Sequence, residues 1–296
     1  MKRLGRLLMA IHNPHASGGE YQRDVPLMLE ALRGLGYEVE SRATEGVGHA
    51  TVLAQEAVAE GCDVVCAIGG DGTVNETLNG LVGSGLPLAI IPTGTVNVLA
   101  MELGIPLDPP DAVRVLEMGN TSSIDLGRVN ERYFGLMAGV GMDAAVVASL
   151  NPTLKRALRE AAFAVQGLAN YLIKEDPLIR IEAAERTMEG YFVVIGNSSN
   201  YGGGFGITPL ADMRDGLLDV CVLKDKSFLS TATYWTAALL NAHIKHPKVE
   251  YFRTEEVRLT CADDGKEVLV QTDGEVAGSL PVTCRVVPHA LHVVVP

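Results

Sequence analysis

The hydrophobic pattern of this chain changes character once, near residue 125. Before that point, short apolar runs alternate with stretches whose apolar residues recur at helical spacing. Arg6 to Ile11 reads as a strand, ended by Asn13-Pro14 and Ser17-Gly18-Gly19. Tyr21 to Leu35 reads as a helix stopped at Gly36, Tyr37 to Ala43 as a strand, and His49 to Ala59 as a helix ending at Gly61. Asp63 to Ile68 is apolar enough for a buried strand. A helix over Thr73 to Leu81, a strand over Leu86 to Ile91 and a helix over Thr95 to Leu103 follow. Strand–helix units of this length predict a parallel sheet covered on both faces. Such sheets bind ligands beyond the carboxyl ends of their strands, where this chain places Gly- and Asn-rich turns.

Beyond Ile124 the segments are shorter and richer in Val, Leu and aromatic residues. Tyr133 to Ala138, Tyr191 to Ile195, Leu217 to Leu223, Glu256 to Thr260, Val268 to Thr272 and Val282 to Val287 are separated by Gly, Asn and Asp turns. This grammar predicts an antiparallel sheet or sandwich, interrupted by one amphipathic helix over about Thr153 to Lys174. The expected division is residues 1–125, plus about 286–296, for the α/β domain and 126–285 for the β-rich one. A hinge is expected near Asp125 to Arg128. Edge strands in a β-rich domain make a homodimer a natural option.

The 296 residues suffice for two such domains, and 24 basic against 36 acidic residues leave a net charge of −12. That balance argues against a general nucleic-acid binder, which needs a basic footprint to displace counterions. An anionic membrane surface would repel the average protein, unless a local basic patch overrides the net charge. The five cysteines, an odd number scattered through apolar runs, do not form a disulfide framework, and Cys62 and Cys66 lack the second pair of a metal site. Lys2, Arg3 and Arg6 precede an apolar run too short for a signal peptide, and no window approaches the ~20 apolar residues of a bilayer span. The expected location is the cytoplasm, with at most peripheral contact at the inner membrane face.

Candidate chemistry gathers in four places. Ile68-Gly69-Gly70-Asp71-Gly72-Thr73-Val74-Asn75-Glu76 joins a buried strand to a helix. Its glycines let backbone N–H groups approach an anion at a helix N-terminus, and Asp71 beside phosphates calls for a divalent cation. Read structurally, the same stretch is a tight turn with Asp71 as N-cap. It is neither a Walker loop nor a Rossmann fingerprint. Pro92-Thr93-Gly94-Thr95-Val96-Asn97 is a second such turn; with Asn13 and Thr44 after the first two strands, four loops would face one nucleotide-sized site. Third come Gly196 to Gly204 and the Asp-rich turn Asp212-Met213-Arg214-Asp215-Gly216-Leu217. That turn is either a hairpin or a hold for a hard cation. Fourth, Gln271-Thr272-Asp273-Gly274-Glu275 places two carboxylates around a glycine. They form either a proton-sharing pair suited to a general base or a plain Asp-Gly hairpin turn.

Gly69-Gly70-Asp71-Gly72-Thr73-Val74-Asn75-Glu76, then Asn79-Gly80-Leu81, Gly94-Thr95-Val96-Asn97 and Asp273-Gly274-Glu275, together resemble the diacylglycerol kinase catalytic-domain family. That family includes bacterial soluble lipid kinases and the sphingosine kinases. Asn13-Pro14, Gly139-Val140-Gly141-Met142-Asp143 and the Tyr201 glycine run extend the likeness over nearly the whole chain. The resemblance implies an N-terminal domain like those of phosphofructokinase and NAD kinase, a C-terminal antiparallel β-sandwich, and an active site in the cleft. It implies ATP bound by Asn13, Thr44, Gly69, Gly70, Asp71, Gly72, Thr73, Val74, Asn75 and Thr95, with Mg²⁺ held by Asp71. It further implies a structural Mg²⁺ at Asp215 with the carbonyls of Asp212 and Leu217, a supporting carboxylate at Asp125, and a base at Asp273 or Glu275. The expected substrate is a lipid hydroxyl at a membrane surface. Val98 stands where relatives commonly carry Asp, which removes one charge from that network. An NAD kinase, which also uses Gly-Gly-Asp-Gly-Thr, and a non-catalytic nucleotide or lipid sensor are the rival readings. The segment 153–174, with Leu154, Leu158 and Phe163 beside Lys155, Arg156 and Arg159, is read either as a membrane-interface helix or as one packed on the sandwich.

Overall fold

The computed structural model describes residues 6–16, 23–141, 177–200, 206–263 and 266–296. Two compact units result: residues 1–125 with 288–296, and residues 126–287. The 153–174 segment and the Tyr201 glycine run lie outside the described residues.

In the first unit, β1 (Arg6–His12), β2 (Tyr37–Ala43), β3 (Val64–Gly69) and β4 (Leu88–Pro92) form a parallel sheet in the order β2-β1-β3-β4. Every residue of β3 and β4 is buried, whereas β2, at the edge, alternates between half-buried and exposed positions. That is why the central strands read as continuous apolar runs. Leu8, Ala10, Val64, Cys66, Ile68, Ala89 and Ile91 share a core with Met28 and Leu32 of α1 (Val25–Gly34).

Helices α2 (His49–Ala59) and α3 (Asp71–Leu81) pack tightly together. A Cβ at Gly80 would lie 2.5 Å from the Thr51 carbonyl and 2.6 Å from the Ala54 methyl. The helix expected over Thr95 to Leu103 is shorter, α4 (Val98–Glu102). Asn97, at φ 60° and ψ 54°, takes the left-handed conformation and bars an earlier start. α5 (Pro109–Met118) lies beyond the elements expected from the pattern, although Pro109 opens it and Gly119, at φ 68°, closes it by ordinary rules.

In the second unit, β7 (Met137–Gly141), β10 (Phe192–Gly196), β11 (Leu218–Leu223), β12 (Val249–Thr254), β14 (Leu269–Thr272) and β15 (Glu275–Ser279) form an antiparallel sheet ordered β12-β11-β10-β7-β14-β15. β8 (Ile179–Ala183), β9 (Arg186–Gly190) and β13 (Glu256–Cys261) pair antiparallel with one another and with the first part of β16 (Val282–Val294). β5 (Thr121–Val129) and β6 (Arg132–Phe134) make a hairpin. Val140, Ile195 and Val220 from one sheet meet Ile181, Leu259 and Cys284 from the other in a common core. β16 runs much further than the expected Val282 to Val287, and its Val293 pairs parallel with Leu88 in the first unit's sheet. The thiols of Cys66, Cys221 and Cys284 are buried and pushed up to about 12 by desolvation, so they are inert.

A helix that the pattern did not anticipate, α6 (Phe228–Leu239), packs on this unit through Tyr234 and Ala238. Tyr234 meets the ring of His243 edge-on at 5.6 Å, and the fully buried His243 places Nε2 2.8 Å from the Ile207 carbonyl. Its Nδ1 has no partner, and burial lowers its pKa below the usual 6.5. The unfolded chain therefore takes up the proton first. The stability from the neutral ring is complete above about pH 6.5 and is lost as pH falls below it. His12, also lowered by burial, acts in the same direction. Urea unfolding is expected to show a lower midpoint at pH 5.5 than at pH 7.5. In His243→Gln, which keeps a donor for Ile207 without titrating, the gap should narrow.

Candidate active site

The parallel register brings the carboxyl ends of β1 to β4 together. Thr44 N–H donates to the His12 carbonyl at 2.9 Å, Asn13 N–H to Ile68 at 3.3 Å and Thr93 N–H to Gly69 at 2.9 Å. The four turns expected to hold a nucleotide are thus tied to one another through their main chains. Two of them also touch directly. A Cβ on Gly94 would stand 2.4 Å from Gly70 Cα, and one on Gly70 would stand 3.1 Å from Gly94 Cα. Gly69 lies under Thr73, where a Cβ would come within 2.6 Å of the threonine Cβ. These contacts exclude any larger residue without a backbone shift.

α3 begins with Gly70 at its N-cap, which offers no side chain to the first-turn amides. Those amides are the anion-binding feature of the turn. Gly72 and Thr95 are exposed beside them, Asn13 is half-buried, and Thr44, Thr73, Val74 and Asn75 are buried. Asn13 Oδ1 accepts the His15 amide at 2.9 Å.

Asp71 does not cap its own helix. Its Oδ2 accepts the Asn97 amide at 2.9 Å and thereby serves the start of α4, where the Val98 and Leu99 amides also favour the charged carboxylate. Burial pushes the Asp71 carboxyl above its ordinary range, against the opposing pull of these amides. A hard oxygen donor whose charge is desolvated beside an anion cradle fits a divalent cation. Asn97 closes the second turn on itself. Its Oδ1 accepts from Gly94 N–H and its Nδ2 donates to the Gly94 carbonyl, both at 2.9 Å.

Glu76 has a function that the sequence reading missed. Its two oxygens accept the Gly48 and Ala50 amides at 2.8 and 3.1 Å, capping α2, whose N-cap Gly48 lacks a side chain. A helix opening on glycine was the available signal, since its amides need an acceptor from elsewhere. Asp125, 1% exposed, accepts the His289 amide at 2.8 Å and so anchors the closing strand.

In the second unit, Asp273 and Gly274 are the two central residues of the β14–β15 hairpin. Their φ values of 47° and 81° are the positive pair a type I′ turn requires. The two carboxylates that the sequence offers as a pair are each held by other groups as well. Asp273 Oδ2 accepts the Gly135 amide at 2.8 Å, and Oδ1 accepts Leu136 and Met137 at 3.0 and 2.9 Å. Glu275 is paired with Arg132.

The Asp212–Leu217 turn is likewise satisfied internally. Asp215 Oδ1 accepts the Leu217 amide at 3.0 Å, while Oδ2 meets the Arg253 guanidinium at 3.2 Å. Asp212 Oδ1 accepts Arg214 N–H at 3.1 Å. The carboxylate that the resemblance assigns to a second magnesium is paired with the Arg253 guanidinium in this structure. Among the described residues, no cluster of three His, Cys, Asp or Glu side chains forms a metal site.

Residues 7–129 match the family model described as the diacylglycerol kinase catalytic domain. Residues 136–295 match the model described as the YegS C-terminal NAD kinase beta sandwich-like domain. Together with the tied glycine turns, these matches define a kinase of the lipid-phosphorylating class. A diacylglycerol kinase of Staphylococcus aureus strain MRSA252 is 30% identical over 275 residues, covering 92% of this chain and 86% of that protein. The chain belongs to the diacylglycerol kinase family. A crystal structure of a diacylglycerol kinase from Bacillus anthracis str. Sterne shares the fold at a TM-score of 0.79 and 23% identity, covering 100% of this chain and 99% of that one. A second Bacillus anthracis structure reaches 0.84 at 22% identity, covering 100% and 97%. No helix among the described residues is long and apolar enough to cross a membrane.

The close approach of the two turns predicts that Gly94→Ala, with a backbone atom in its way, loses both thermal stability and nucleotide affinity. Glu76→Ala, which strips the α2 cap, should cost about 1 kcal/mol in urea unfolding while nucleotide binding, read by calorimetry, stays near wild type.

Proposed function

We propose that this kinase transfers the terminal phosphoryl group of ATP, in the presence of Mg²⁺, to the hydroxyl of diacylglycerol or a related lipid. The observation that carries the reading is the set of four main-chain-tied turns around the open amides at the start of α3. The amides of Gly72 and Thr73 take phosphate oxygens; Asn13, Thr44 and Thr95 offer polar groups to the rest of the nucleotide. Magnesium held at Asp71 supplies charge neutralisation on the phosphates, which is most of what phosphoryl transfer asks of a protein. Of the two hairpin carboxylates, Glu275 is the one not held by backbone amides, and we assign it to receive the alcohol proton. Three lone-pair positions of Asp273 are filled by the amides of residues 135–137. In this reading Asp273 fixes the β6–β7 turn, and Arg132 orients Glu275.

Labelled ATP presented with dispersed diacylglycerol, and with NAD in parallel, tests the proposal. The expected product is a phosphorylated lipid, formed only with a divalent cation and slowed about 10²- to 10⁴-fold in Asp71→Asn and in Glu275→Gln. Transfer to NAD would overturn the acceptor. Absence of ADP release with every lipid would overturn catalysis in favour of a sensor. Asp273→Asn separates the two carboxylates. Its Nδ2 would oppose a backbone N–H, so its melting temperature should drop along with its turnover, whereas Glu275→Gln should melt as wild type.

A further inference from the structure

An exposed helix face in a water-soluble unit ordinarily carries charge, and α6 does not. From Phe228 to Ala242 the sequence has no Asp, Glu, Lys or Arg. The helix buries Thr231, Tyr234 and Ala238 against the sheet, so Leu229, Thr233, Thr236 and Leu240 form one outward stripe at helical spacing. Leu229 is 72% exposed and Leu240 75% exposed. These two leucines mark the ends of the stripe.

Charge surrounds the stripe at both ends, and it is mostly positive. Within residues 224–248 there are four lysines, Lys224, Lys226, Lys245 and Lys248, against the single Asp225. Asp225 accepts from the amide and hydroxyl of Ser227, at 2.9 and 3.0 Å, supporting the N-cap of α6. Lys224 pairs with Glu250 at 2.7 Å, and Lys226 lies over the Tyr191 ring at 4.9 Å. All four lysines are exposed. A basic, uncharged-at-centre surface on a chain of net charge −12 has a definite complement.

We infer that the outward face of α6, with its flanking lysines, is the surface by which this enzyme docks on an anionic lipid bilayer. Leu229 and Leu240 enter the headgroup–acyl boundary, the threonines lie at the polar–apolar transition, and the lysines meet lipid phosphates. The inference rests on the lipid acceptor proposed above, whose acyl chains keep the substrate in a membrane. A second copy of the chain is a poorer occupant. A two-fold contact through this face would set the lysines of one copy against those of the other. The local excess of lysine also answers the repulsion that the net charge imposes at an anionic surface.

Co-sedimentation of the full chain with vesicles tests the inference. Wild type should pellet with vesicles of phosphatidylcholine and phosphatidylglycerol, more weakly with phosphatidylcholine alone, and less as salt is raised. A Leu229→Glu/Leu240→Glu variant should lose about tenfold or more of its vesicle affinity. Lys226→Glu/Lys245→Glu should weaken binding mainly to the anionic vesicles. Both variants alter exposed side chains, so their melting temperatures should match wild type. Vesicle binding unchanged in both variants would overturn the inference. So would a concentration-dependent dimer in sedimentation equilibrium that Leu240→Glu dissolves, which would assign the face to a second copy. Activity on diacylglycerol in detergent micelles should persist in the variants. Its absence in wild type as well would count against the lipid-kinase reading, while the pelleting result would still decide the docking surface.

Discussion

Two stretches of main chain, one at Gly70 and one at Gly94, approach each other so closely that a single methyl group on either would not fit without displacement. This contact joins the turn after β3 to the turn after β4, and much of the site follows from it. With the two turns in register, the Asp71 carboxylate reaches the Asn97 amide that opens α4, and Asn97 can fold its carboxamide back onto Gly94. The first-turn amides of α3 are left without a side-chain acceptor from the N-cap. A larger residue at either glycine would separate the turns and scatter these groups.

The motif residues therefore divide into those that build and those that are left to bind. Glu76 is spent on the start of α2, Gly80 on the packing of α2 against α3, and Asn97 on closing its own turn. Gly72 and Thr95 remain exposed at the sheet's carboxyl edge. The second unit follows a similar rule. Asp273 ties the hairpin to the segment from Gly135 to Met137, and Asp215 is balanced by Arg253. In both units carboxylates do much of the holding, by accepting backbone N–H groups that no secondary structure satisfies.

How much of this could be read in advance depended on the range of the interaction. The strands of the parallel sheet were legible because burial on both faces leaves an uninterrupted apolar run, as in Val64 to Gly69. The Asp273-Gly274 turn was legible because positive φ at two successive positions demands such residues. The partners of Asp71 and Asp273 were not, since those amides lie 26 and up to 138 residues away in sequence and are set by the folded arrangement alone. α6 escaped notice for a different reason. A helix apolar on its inner side and merely uncharged on its outer side gives no alternation for a periodicity argument to detect. The pattern extends α4 too far because nothing local marks Asn97 as left-handed.

The spacing between Asp71 and Glu76 carries a consequence for how α3 can vary. Five residues advance a helix by about 140° beyond a full turn, so the two side chains leave it in divergent directions, one toward α4 and the other toward α2. The helix thus works as a spindle with two fixed spokes. Inserting or deleting one residue between them would rotate one spoke by about 100° relative to the other and detach a neighbouring helix. Changes of length in this segment are therefore barred by angular phase alone, whatever residue is added.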